Sequence, residues 1–357
     1  MDTGIHRHDT RNSRTQTPTG AQAQTASQAL RLTMHSIRLG RTMNKPAQSR
    51  KTFAPRVLAA VITAAGVAVT APASAARIGS TPQFPVGITM GSPTGALPPV
   101  PGLWLIDKGS FQGADSVNAY GQRTGTTTTV WTNNAQLMWV PGFKVLGAQY
   151  AAFVRNLGAV NITLKTPTGL TAQHSGLPDT EIVPANLSWK LSQHLYFDAE
   201  LGIYLKDGDY KNQPHRLNIG QNATTYEPNF SLSYLDDNWQ LTAHALFDIN
   251  GWNHDAGHVN GKKVGYRNGT TFDLDYTLFR KTGHWSYGMV GYFLRQISND
   301  KGPAELNGGK PEQYAVGIGT QYDFGKVKLM GTYTHDYHAR NIGQKDMLIV
   351  YLSVKAL

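Results

Sequence analysis

His194-Leu195-Tyr196-Phe197-Asp198-Ala199-Glu200-Leu201-Gly202-Ile203-Tyr204-Leu205 alternates from end to end. Leu195, Phe197, Ala199, Leu201, Ile203 and Leu205 fall on one face, and His194, Tyr196, Asp198, Glu200, Gly202 and Tyr204 on the other. Period-two alternation marks a strand with one apolar and one polar face. Residues 238–250 and 312–324 repeat the pattern. Strands of soluble sheets usually run to about 5–6 residues, whereas a tilted strand crossing a bilayer needs roughly 9–11. Length therefore favours a membrane wall over a soluble sandwich.

The connections support the same reading. Tight links are expected at Val140–Phe143, Ser192-Gln193, Asp236-Asp237, Lys281–Gly283 and Gly325, and long ones at 113–128, 156–181, 206–222, 251–264, 298–311 and 339–344. Short turns on one side and long loops on the other are the arrangement of outer-membrane barrels. The expected fold is all-β, an antiparallel transmembrane β-barrel of about twelve strands over 103–357, with both termini on the short-turn side. Trp139, Trp189, Trp239 and Trp285 each lie close to a tight turn. An amphipathic ring prefers the membrane–water interface, so the four read as a periplasmic aromatic girdle. One stretch fits poorly. Val290-Gly291-Tyr292-Phe293-Leu294 is apolar on both faces, and a bulge near Gly288 or Gly291 is expected to shift its phase.

Upstream of the barrel the chain changes character. Lys45, Arg50, Lys51 and Arg56 precede the apolar run Val57–Val69, and Ala73-Ser74-Ala75 supplies small residues for cleavage before Ala76. Thus 43–75 reads as a signal peptide with Ala73 and Ala75 at the cleavage site; the run is too short to span a bilayer. Residues 1–42 read as disordered or as a mis-assigned start, with Met34 or Met43 as the better initiator. Most of the net charge of +10 belongs to this leader: 1–75 hold ten Lys/Arg against two Asp/Glu, leaving 23 against 21 in the remainder. A nucleic-acid partner loses its support. Residues 76–102 carry six prolines, so regular structure is not expected there. This extension reads as a plug in the lumen, a linker or a free tail, with the plug preferred. The chain has no cysteine, which excludes disulfides, thiol catalysis and Cys-ligated metals.

Three stretches carry a family resemblance: His284-Trp285-Ser286-Tyr287-Gly288-Met289-Val290-Gly291-Tyr292 with Gln296–Asp300, Tyr226-Glu227-Pro228-Asn229-Phe230-Ser231-Leu232, and Phe247-Asp248-Ile249-Asn250. Over roughly 100–357 the chain resembles the outer-membrane meta-pathway phenol-degradation family. The resemblance implies a barrel linked to catabolism of aromatic or other hydrophobic compounds, with a role in their uptake, and it implies no catalytic residues.

If the apolar faces meet lipid, Asp198, Glu200, His244, Asp248, Asp273, Asp275, Gln296, Asp323, Lys328 and Asp336 line the lumen. Such charges are tolerated around water but not against acyl chains. They read either as a bracing ion-pair network or as an acid-leaning passage that selects by charge. Asp273 and Asp275, two apart on one face, are expected to attract cations or to pair with Lys328 and Arg295. The expected function is passive uptake of small hydrophobic or aromatic solutes across the bacterial outer membrane. The expected partners are outer-membrane lipid, those solutes, and the periplasmic chaperone and barrel-assembly machinery. The alternatives are a barrel serving as a structural or surface-binding protein, and third, a lipid-modifying enzyme. No cofactor, metal or catalytic residue is assigned. Ser231, Ser233 and His244 lack a nucleophile motif, and His254 and His258 lack a completing carboxylate.

Overall fold

The computed structural model describes residues 82–213 and 216–357, apart from the side chain of Glu305. The leader, with Ala73 and Ala75, lies outside the described residues. Among the described residues seventeen strands form: β1 (Gly102–Val117), β2 (Arg123–Val140), β3 (Lys144–Val145), β4 (Ala148–Arg155), β5 (Val160–Lys165), β6 (Thr171–Gly176), β7 (Glu181–Lys190), β8 (Leu195–Tyr204), β9 (Thr225–Leu235), β10 (Trp239–Asn250), β11 (Asn253–Val259), β12 (Lys262–Tyr266), β13 (Thr271–Thr282), β14 (Trp285–Gln296), β15 (Glu312–Asp323), β16 (Val327–Arg340) and β17 (Gly343–Lys355). Among the described residues no helix is long and apolar enough to cross a membrane.

Twelve of these strands make a closed antiparallel barrel: β1, β2, β4, β7 to β10 and β13 to β17. The ring closes where β1 pairs with β17, from Trp104↔Lys355 to Ser116↔Gly343, and where β2 pairs with β4 at Leu137↔Val154, Met138↔Phe153 and Trp139↔Ala152. Closure satisfies every wall strand on both edges, which a lipid environment demands because no water is there to accept the backbone groups. Above β4 the chain turns at Asn156 (φ 62°), and β2 continues its pairing with β5. Strands β5 and β6 form a hairpin beyond the barrel rim, and β11 and β12 form a second. Pro184 sits in β7 at a register shift between Ile182 and Ala185, where a missing N–H is tolerated.

Three expected long loops are largely strand, 251–264 among them because it holds β11 and the start of β12. Of 113–128 only 118–122 lies between β1 and β2, and β16 and β17 are separated by just Asn341 and Ile342. The run Thr126–Thr129 lacks apolar alternation, yet β-branched threonines suit a pleated ribbon. The twelve-strand count is unaffected.

Alternation sorts the wall cleanly. On β10, Gln240, Thr242, His244, Leu246, Asp248 and Asn250 are buried inside, while Trp239, Ala243 and Ile249 are exposed outside. Leu137, Phe230, Leu278, Val316, Val350 and Leu352 are likewise exposed on the outer surface, a contiguous apolar band that only lipid would cover.

The four tryptophans stand on the outer face at the tight-turn end. Trp139, Trp239 and Trp285 are exposed, and Trp189 is half-buried with Nε1 donating to the Leu146 carbonyl at 3.0 Å. Trp139 meets Phe143 and Tyr150 edge-on, and Trp285 meets Tyr322 at 4.8 Å. A second aromatic row, not foreseen from the sequence, runs across neighbouring strands near the loop end: Phe247–Phe272 at 5.1 Å, Phe272–Phe293 at 6.2 Å and Phe293–Tyr314 at 4.4 Å.

Candidate functional site

The lumen is filled by the chain's own N-terminal segment. Residues 82–101 run from the loop end, where the Gln83 side chain donates to Asp179 (2.6 Å) and its backbone N–H to Asp248 (2.6 Å), down to the tight-turn end, where Gln149 donates to the Pro98 carbonyl. Prolines prevent this segment from joining the sheet, so its polar groups are met by inward side chains instead. Thr89 donates to Asp275 from backbone N–H (2.9 Å) and hydroxyl (2.5 Å), Gly91 donates to Thr277 (2.7 Å), and Gly95 donates to Ser233 (3.0 Å). In return Lys108 and Gln240 donate to the carbonyls of Ile88 and Gly91. Successive tight turns fold it, Ile88 N–H to Pro85 and Met90 N–H to Gly87, with Gly87 and Gly91 at φ 83° and 80°. A Cβ on Gly91 would stand 2.3 Å from Met330 Sδ, so this glycine answers both to a left-handed backbone and to close approach.

One side of the lumen is apolar. Phe84, Val86, Ile88 and Met90 pack in a buried cluster with Phe279, Val290, Tyr292, Leu294, Met330, Met347 and Ile349. This accounts for the doubly apolar stretch at 290–294. The β13–β14 and β14–β15 registers run without a shift, so the expected bulge is absent. Val290, Tyr292 and Leu294 point inward, where the N-terminal segment covers them, and Phe293 points outward.

The other side is charged. Arg155 bonds Glu181 (3.0 Å) and reaches both oxygens of Glu200, while Asn186 and Asn229 donate to the same carboxylate. Tyr204 donates to Glu227 at 3.2 Å. Each of these carboxylates is buried, a placement that is costly unless paired and hydrogen-bonded.

Eight of the ten expected lumen residues are buried on inward faces: Asp198, Glu200, His244, Asp248, Asp273, Asp275, Gln296 and Asp336. They line a filled interior rather than an open passage. His244 sits between Thr89 (3.0 Å) and Asn229 (3.1 Å). Asp336 accepts from Tyr292, Gln313 and the backbone N–H of Lys345. Gln296 ties the 297–311 loop through Ser298 and Asp300. Asp323 and Lys328 share the inward phase but stand at the tight-turn rim, partly exposed and paired with each other at 3.5 Å. The expected partners of Asp273 and Asp275 are therefore corrected. Arg295 is exposed on the outer face, and Asp275 is met by Thr89, with Lys108 and Lys345 as the buried cations of this region. Lys108, Arg155, Glu181, Glu227 and Lys345 were missed because they sit at strand ends or in β1, where alternation is mixed. His244 stands opposite Ser231 in the β9–β10 ladder, yet Ser231 Oγ meets Thr94 and Ser233 Oγ meets Thr242.

Outside the barrel, Asp209 joins His174 and Arg216, each at 2.6 Å, and fastens the β5–β6 hairpin to the 205–224 loop. The His174 hydrogen bond, then Arg216, hold the Asp209 carboxyl below its ordinary range.

Residues 107–351 match the model of the family described as "Putative MetA-pathway of phenol degradation". This chain belongs to that family. Among solved structures, an outer-membrane channel from Pseudomonas putida F1 superposes with a TM-score of 0.61 at 14% identity, covering 72% of this chain and 96% of that one. The beta domain of the Bordetella autotransporter BrkA (TM-score 0.42, 15% identity, 71% and 99% covered) and the translocator domain of the autotransporter NalP from Neisseria meningitidis (0.43, 12%, 71% and 88%) are more distant. The first likeness shows the fold, that of an outer-membrane barrel. No curated protein sequence matches.

Proposed function

We propose that this family member is a channel for passive, non-enzymatic uptake of small hydrophobic or aromatic compounds across the outer membrane, reached after removal of a signal peptide at Ala75. In this reading residues 82–101 are the gate. One observation carries it: the segment filling the lumen is held by side-chain hydrogen bonds and apolar contacts, not by strand pairing, so it can leave without opening the wall. Family membership supports the aromatic cargo. The apolar inner wall of β13, β14 and β17 offers a surface that such a solute could wet when the segment yields.

The test is flux into liposomes holding the full-length protein, with phenol, a branched sugar and an ion as probes. Faster entry of phenol than in protein-free vesicles is expected, and deletion of 84–96 is expected to admit the sugar as well. No phenol flux in either protein would defeat the proposal and favour a barrel that serves through its surface loops.

A further inference from the structure

Strands β7, β8 and β9 bring Glu181, Glu200 and Glu227 together so closely that one carboxylate oxygen of each lies within 4.8 Å of the other two. All three are buried. Asp198 stands beside them, joined through Asn186, whose Nδ2 donates to Asp198 (3.0 Å) and to Glu200 (2.5 Å). The guanidinium of Arg155 bridges Glu181 and Glu200, while Glu227 is met by Tyr204, Asn229 and the Asp248 carboxyl. Five carboxylates thus share one contacting cation.

A second observation points to a ligand. Asn186 is 4% exposed, and its amide is anchored among the carboxylates, yet its Oδ1 has no hydrogen-bond partner; neither has Asp198 Oδ2. A buried acceptor left unpaired is costly, and ionised carboxylates, which only accept, cannot relieve it. A cation can. Backbone space is arranged to suit: Gly202 faces inward between β7 and β9, and a Cβ there would lie 2.4 Å from Glu181 Oε1.

We propose that Glu181, Glu200 and Glu227, with Asp198 and the amide oxygen of Asn186, form a calcium-class cation site beneath the long-loop mouth of the lumen. An all-oxygen donor set of carboxylates and amide carbonyls is the chemistry of hard cations, and its irregular geometry suits calcium better than magnesium, which demands a near-ideal octahedron. Arg155 is the fixed counter-charge between two of the ligands. The site stands whether or not the barrel passes solutes, and sequence reading alone assigned no metal here because the donors come from three strands.

The test uses full-length protein folded in detergent, stripped with a chelator and titrated calorimetrically with calcium chloride. One ion per barrel is expected, with magnesium at least tenfold weaker. Glu227→Gln and Glu181→Gln should each weaken calcium at least tenfold, and Asp346→Asn, on the outer surface, should leave it unchanged; the unheated gel band reports folding of every variant. No binding by the unmodified protein at millimolar calcium overturns the site. Equal stoichiometry and affinity in the unmodified protein and both glutamate variants also overturns it, placing the ion elsewhere.

Discussion

The two sides of the lumen hold the same N-terminal segment by different physics. Toward β14, β16 and β17 the contact is largely apolar, with Phe84, Val86, Ile88 and Met90 against Val290, Tyr292, Leu294 and Met330. Toward β7 to β9 the contact is polar: Gly95 donates to Ser233 and accepts from Ser188, Thr94 meets Ser231, and the carboxylates beyond are held by Arg155. The apolar side depends on the segment to stay dry; the charged side depends on Arg155. Each side should therefore fail to a different substitution.

The largest effect is expected at Arg155. Replacing it with Met leaves two buried carboxylates without their cation, at a cost of about 3–5 kcal/mol. Urea unfolding in detergent measures this, and a loss below about 1 kcal/mol would mean that water screens the network. Met90→Ala opens a cavity in the apolar cluster and should cost about 2–5 kcal/mol, read as increased protease cleavage of the 82–101 segment with the barrel still folded. If the barrel unfolds together with the segment, the two sides are not separable.

Val350→Arg places a charge mid-strand on the outer face, where roughly 2–4 kcal/mol is expected against lipid. The same substitution should cost little if that face were solvated. Thr89→Val removes both hydroxyl contacts, to Asp275 and His244, and should loosen the segment by about 1–3 kcal/mol, visible as higher basal conductance. The smallest effect lies outside the barrel. Because the Asp209 carboxyl is held low, its contribution is present above the ordinary carboxylate range and is lost as pH falls through the lowered value. Proteolysis of the β5–β6 hairpin should rise only in strong acid; a rise already near neutrality would overturn the assignment to Asp209.

Much of the wall was legible because its alternation is long and uninterrupted, as at 194–205 and 238–250. The 113–128 loop was drawn too long where threonines replaced apolar residues, at 126–129, since β-branching favours a strand without marking a face. The interior was harder. Two anomalies, the proline-rich stretch with apolar residues at Phe84, Val86, Ile88 and Met90 and the doubly apolar 290–294, are halves of one contact more than 190 residues apart in sequence. No local pattern joins them. The carboxylate cluster was half-seen for the same reason: Glu200 sits mid-strand in clean alternation, whereas Glu181 opens β7 and Arg155 ends β4.

The uncharged run Met289-Val290-Gly291-Tyr292-Phe293-Leu294 has a consequence before the barrel exists. It combines aromatic and β-branched residues, no charge and no proline, the profile of a segment that stacks with copies of itself. Ordinary barrel strands expose one greasy face while they wait for the membrane; this one exposes two. Lipid shields only the outer one, and the inner one stays sticky until the N-terminal segment arrives. Self-association in transit would therefore start at β14, and the stretch that fills the finished lumen doubles as that strand's own guard.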